Sequence, residues 1–256
     1  MMANVRLPAR LGKEPLIDVV FGVSFAVNSI VEHTLPGVLL SVFSAGSFES
    51  KPTIEVLPIA QLPSSVRGSE PGLRRAPSLK ISIENSYAVL VGSRWLGVSC
   101  LMPYRGWVDF KSMIEKTIQA LASSGSVSQI NGYSLKYADF IADEDDIPAL
   151  ESFNAKVRIG WEDLINQPLQ LKVEMEREGF VSVVTLFSRA ERADSDGGRS
   201  RGALLDVDVH KNIDMDLEGF VADAGSLLDE IHSANKRLFF ELLSEQGLAR
   251  LEPVYE

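Results

Sequence analysis

Apolar residues recur at every second position near the start of the chain. Ile17, Val19, Phe21, Val23 and Phe25 share one phase, with Asp18, Gly22, Ser24 and Asn28 among the residues outside it. Successive side chains of a strand point to opposite faces, so this spacing predicts a strand with one buried face. A short helix is expected from Thr34, a plausible N-cap, with Pro36 in its first turn and Val38 to Phe43 as its apolar content. A strand at Thr53 to Leu57 follows. The stretch from Pro63 to Pro77 is rich in Pro, Gly, Ser and Arg and predicts a long loop.

Lys80 to Glu84 and Tyr87 to Gly92 predict a hairpin turning at Asn85-Ser86, and Arg94 to Leu101 a further strand. The period then changes. Trp107, Phe110, Ile114, Thr117, Ile118 and Leu121 fall on one helical stripe, opposite Glu115, Lys116 and Gln119. Strands return at Gly132 to Ile141, Ala155 to Trp161, Leu169 to Glu176 and Phe180 to Ser188, the last two joined across Arg177-Glu178-Gly179. A polar loop from Glu191 to Gly202 is expected to precede a last strand, Leu204 to His210. A closing helix spans about Asp216 to Glu245. Leu217, Phe220, Val221, Ala224, Leu227, Leu228, Ile231, Leu238, Phe239 and Leu242 form its apolar face, and Gly247 stands where a left-handed cap would end it. The pattern is α+β, a mainly antiparallel sheet in two strand-rich halves, each followed by an amphipathic helix. We read it as one domain over residues 1–256, with sub-halves 14–125 and 126–250 as a loose duplication.

Composition narrows the picture. A chain of 256 residues buries enough surface to fold without staples, and Cys100, the lone cysteine, rules out an intrachain disulfide. Arg6, Arg10 and Lys13 ahead of an apolar run mimic a secretion signal. Glu14 and Asp18 break that run, and no small-residue cleavage site follows, so the expected location is the cytoplasm, with no membrane contact. The formal net charge of −10 argues against a dedicated nucleic-acid binder, which needs clustered cations. Two loops do gather cations: Arg67, Arg74, Arg75 and Lys80 in one, and Arg189, Arg192, Arg199 and Arg201 in the other. Solubilising loop charge accounts for both.

Few side chains suggest chemistry. Asp206, Asp208 and His210 share one face of a strand, opposite Leu205, Val207 and Val209, and could in principle hold a divalent cation. Alternate side chains on a strand stand roughly 7 Å apart, so neighbours could share a metal only by leaning inward, and an ordinary half-buried edge or surface strand explains the alternation completely. The acidic run Asp143-Glu144-Asp145-Asp146 lacks the spacing of a calcium loop. Gly22-Val23-Ser24-Phe25-Ala26 resembles a nucleophile elbow, but that motif needs a strand-to-helix turn and Ser24 sits inside an alternating strand. Of the three histidines, His232 falls on the edge of the long helix and is expected to be solvated. No catalytic residue and no cofactor are assigned. Trp95, Tyr104 and Trp107 gather where strand passes to helix, as a recognition surface or as a core hinge. Asn235 falls within the apolar helix face, bonded to backbone or fixing register across a dimer axis.

The segment Glu14-Pro15-Leu16-Ile17-Asp18-Val19-Val20-Phe21 resembles the "PPL-x-E-V-V-F" opening of a sporadically distributed family of uncharacterised conserved bacterial proteins. Ser86 to Val91 is similar to that family's hairpin, and Tyr104-Arg105-Gly106-Trp107 with Phe110 to its helix start. Leu135-Lys136-Tyr137-Ala138-Asp139 stands at its "L-R-Y-I-N", with Lys136 and Asp139 replacing Arg and Asn. Leu205-Asp206-Val207-Asp208 stands at its "L-D-I-D", and the region around His232 and Phe240 resembles its terminal helix. The resemblance supplies no activity. The family's patchy distribution implies an accessory role of the antitoxin, immunity or defence kind.

These readings lead to a non-catalytic component that binds a protein partner, with Trp95, Tyr104, Trp107 and Asn235 as candidate contacts. The alternatives are a metal-dependent enzyme acting on nucleotides or nucleic acid through Asp206, Asp208 and His210, and a homodimeric structural subunit paired through its C-terminal helix.

Overall fold

A computed structural model describes residues 7–26, 30–45, 51–70, 73, 75–144, 148–164, 167–193 and 197–255. Arg6, Asn28, Arg74, Asp145 and Asp146, which entered the sequence reading, lie outside them. The strands are β1 (Arg10–Leu11), β2 (Leu16–Phe25), β3 (Thr53–Val56), β4 (Leu79–Ile83), β5 (Tyr87–Val91), β6 (Trp95–Cys100), β7 (Gln129–Ala142), β8 (Arg158–Ile159), β9 (Glu162–Asp163), β10 (Gln170–Arg177), β11 (Phe180–Ala193), β12 (Arg199–Asp216) and β13 (Pro253–Val254). The helices are α1 (Val31–Ser44), α2 (Ser64–Ser69), α3 (Trp107–Ser123), α4 (Leu217–Leu242) and α5 (Glu245–Arg250). The fold is α+β. Nine strands form one antiparallel sheet in the order β10-β11-β12-β7-β2-β6-β5-β4-β3.

The chain divides into two compact units, and the division does not follow the sub-halves expected at 14–125 and 126–250. One unit holds Met1–Ile17, Lys136–Val209 and His232–Glu256, and the other Asp18–Leu135 and His210–Ile231. The long elements β7, β12 and α4 each contribute residues to both.

In the second unit the β2 alternation appears as drawn: Val19, Phe21, Val23 and Phe25 are buried. They share a core with Ile81 and Ile83 of β4, Val89 and Val91 of β5, and Leu96 and Val98 of β6. Helix α3 buries its predicted stripe of Phe110, Ile114, Thr117, Ile118 and Leu121, and the Thr117 hydroxyl donates to the Met113 carbonyl at 2.8 Å, as a buried polar group must. Helix α1 starts three residues before the expected cap. Thr34 lies inside it, its hydroxyl donating to the Ile30 carbonyl at 3.0 Å. The loop after β3 contains α2, whose Arg67 meets Glu32 of α1 at 2.8 Å while the Ser78 hydroxyl donates to the same carboxylate.

In the first unit, β10 and β11 turn through Glu178 and Gly179, both at positive φ (52° and 78°), the geometry that matches the right-handed twist of a two-residue hairpin. The segment expected as one strand from Ala155 to Trp161 is instead the small β8–β9 hairpin. The polar loop expected at Glu191 to Gly202 is largely strand, since β11 runs to Ala193 and β12 starts at Arg199. Glu191 bridges the two, 3.5 Å from Arg199 and 3.3 Å from Arg201. Gly247 does not cap α4. It lies inside α5, where the Ser244 hydroxyl caps it by accepting from the Gly247 N–H at 3.0 Å. A side chain at Gly247 would collide with the backbone carbonyl of Ser152.

Candidate functional site

The outward phase of the central strands in the second unit carries small residues. Gly22 and Ser24 of β2 face Gly97 and Trp95 of β6 in register. The Trp95 indole lies across the Gly22–Gly97 pair, so closely that a Cβ on either glycine would overlap the ring. On β7, Gly132 is held close: its carbonyl accepts from the Ser24 hydroxyl at 3.3 Å, and a Cβ there would stand 2.9 Å from the Lys211 carbonyl. Beside this strip lies a cavity of about 240 Å³, lined by Ser24, Phe25, Arg75, Arg94, Asn131 and Asn212. A recess of about 10 Å³, room for one water, shares Ser24, Arg75 and Asn212 and is lined further by Gly22, Trp95, Gly132 and His210.

The charge around this cavity is one-signed. Among the described residues no carboxylate lines it, and neither Arg75 nor Arg94 takes part in an ion pair. Some other cations are paired with acids, Arg67 with Glu32 and Lys111 with Asp229 among them. The cavity lining therefore combines two arginines, two asparagines and one serine, whose hydroxyl already donates to the Gly132 carbonyl. Among the described residues that line it there is no histidine, although His210 joins Ser24 in the lining of the adjoining recess.

The residues singled out in the sequence separate in space. Trp95 belongs to the recess and has no ring contact with Tyr104 or Trp107 among the described residues. Those two instead pack edge-on against Phe110 at 6.1 and 6.4 Å, so the expected aromatic cluster of three is a cluster of two around the start of α3. Trp107 is also tied down, its indole N–H donating to Asp229 at 3.0 Å beside the Lys111 ammonium at 2.6 Å.

In the first unit Asp206 pairs with Lys136 at 3.0 Å. The wholly buried Asp139 has its carboxyl pushed up to about 8, first by desolvation and then by the charge of Asp206. His210 falls in the other unit, and no group of three or more His, Cys, Asp or Glu side chains among the described residues is arranged to hold a metal ion. Asn235 is buried, its amide donating to the Val207 carbonyl at 3.0 Å, so the backbone reading fits and a dimer-axis contact has no exposed amide to use. His232, expected in solvent, is half-buried and shares a hydrogen bond of 3.2 Å with the Tyr137 hydroxyl. The stripe of α4 is consumed within the chain, with Phe220, Leu228, Ile231 and Leu238 all buried. No helix among the described residues is long and apolar enough to cross a membrane.

One surface feature lies within the segment expected as a continuous strand. The β8–β9 hairpin turns at Gly160-Trp161, and its tip exposes Trp161 completely and Ile159 by 69%. Compared with protein-family models and with curated proteins, the chain matches none.

Proposed function

We propose that the chain is a non-catalytic, protein-binding component of a bacterial accessory system, of the antitoxin, immunity or defence kind. The observation that supports this reading is Trp161, held fully in solvent beside Ile159 on a two-residue turn. Large apolar side chains stay in water at a cost that a partner removes by covering them, and tryptophan is prominent among residues that dominate protein interfaces. The surrounding chain is acidic, with a formal net charge of −10, which steers association toward a basic partner.

The test is purification of the tagged full chain from its own source, as wild type and as Trp161→Ala. A partner recovered in stoichiometric amount with the wild type and lost with the variant supports the proposal. Equal recovery with both proteins, or a free monomer under all conditions, defeats it.

A further inference from the structure

We infer that the cavity of the second unit is a binding site for a small phosphate monoester. The inference is independent of the protein-binding reading, because it rests on other residues. Arg75 and Arg94 line the same 240 Å³ space, and neither is neutralised by a carboxylate among the described residues. In a chain with 35 acidic and 25 basic side chains, acids to pair with them are in excess. Two like charges placed on one cavity repel each other, and an anion between them turns that repulsion into attraction.

The charge selects the ligand. A single carboxylate offers one negative charge, whereas a phosphate monoester carries roughly −1.5 to −2 at neutral pH and matches two guanidinium groups. The planar fork of each guanidinium fits two phosphate oxygens at once. Asn131, Asn212 and Ser24 offer both donors and acceptors, which suit the hydroxyl groups of a sugar or similar body attached to the phosphate. Size bounds the rest. A bare phosphate leaves most of the cavity unfilled. The Trp95 recess admits only about a water molecule, and Trp95 does not line the larger cavity, so its indole does not stack on the ligand.

The experiment is calorimetric titration of the full chain with ribose 5-phosphate, a nucleoside 5′-monophosphate, the matching nucleoside, inorganic phosphate and a glutamate-rich peptide, at low and at physiological salt. Binding of at least one ester, tighter than inorganic phosphate and absent for the nucleoside, is the expected result. Which ester binds tighter identifies the body attached to the phosphate. Arg75→Gln and Arg94→Gln should each weaken that binding roughly tenfold or more, with unchanged circular dichroism, whereas Arg158→Gln in the other unit should leave it unchanged. Arg75 is exposed, so its variant keeps the test open even if Arg94→Gln folds poorly. No heat from either ester at millimolar concentration, ester binding that both arginine variants retain, or preference for the acidic peptide overturns the inference.

Discussion

The side-chain amide of Asn235 donates to the main-chain carbonyl of Val207 at 3.0 Å, inside a core where the two residues are 1% and 0% exposed. This bond sets the rotation and height of the second half of α4 against β12, because a carboxamide in an apolar face has few places to spend its donors. Replacing Asn235 by Ala removes the donor, opens a small void and leaves the carbonyl without that partner. The expected loss of stability is about 1–3 kcal/mol. Urea unfolding of the two proteins measures it, and a difference within about 0.5 kcal/mol, the range of an ordinary surface change, would show that the bond does not hold the helix.

Asp139 makes stability depend on pH in an unusual direction. Burial, with a smaller contribution from the charge of Asp206, pushes its carboxyl from 3.8 up to about 8. Between those values the folded protein keeps a proton that the unfolded chain releases. The folded state then binds more protons than the unfolded one, so stability falls as pH rises through this window and levels off above about 8. Asp139→Asn cannot ionise and abolishes this contribution. The variant should match wild type in acid and exceed it at alkaline pH, by on the order of several kcal/mol at most. Denaturation at about pH 5 and about pH 8.5 tests the sign. A gap that is the same at both values, or that closes on going alkaline, refutes it.

Much of the fold was written in the chain because burial imposes a period. The β2 alternation and the α3 stripe each have one dry face, so Val19, Phe21, Phe110 and Ile114 fell where the spacing put them. The ends of β11 and β12 had no such face. Glu191, Arg199 and Arg201 are exposed, and a strand wet on both sides reads as a polar loop although its backbone ladder persists. The cavity was hidden for another reason. Arg75 and Arg94 come from a loop and a strand edge, Asn131 and Asn212 from strands 81 residues apart, and only sheet pairing brings them to one space. The glycines Gly22, Gly97 and Gly132 mark instead where the Trp95 ring and the Lys211 carbonyl approach the backbone closely. The Trp161 tip lies inside a segment whose composition predicts a continuous strand, and Gly160, at positive φ, opens the turn that interrupts it.

Two glycines in helices separate close packing from simple chain flexibility. Gly247 in α5 sits against the Ser152 backbone, and an added Cβ would meet the carbonyl oxygen and carbon of that residue, neither of which can swing aside as a side chain would. Gly37 in α1 is exposed, and a Cβ there would touch nothing within 4 Å. The same substitution should therefore act in opposite directions. Gly37→Ala restricts the unfolded chain without a clash and should stabilise by about 0.5–1 kcal/mol. Gly247→Ala has to push α5 away from the turn at residues 149–152, loosening the contact that Ser244 makes with the Glu151 carbonyl at 2.7 Å. Its expected cost is about 2–4 kcal/mol. Thermal melting of both variants beside wild type reads the two signs together. Should Gly247→Ala melt at or above wild type, α5 is not seated on Ser152 as described.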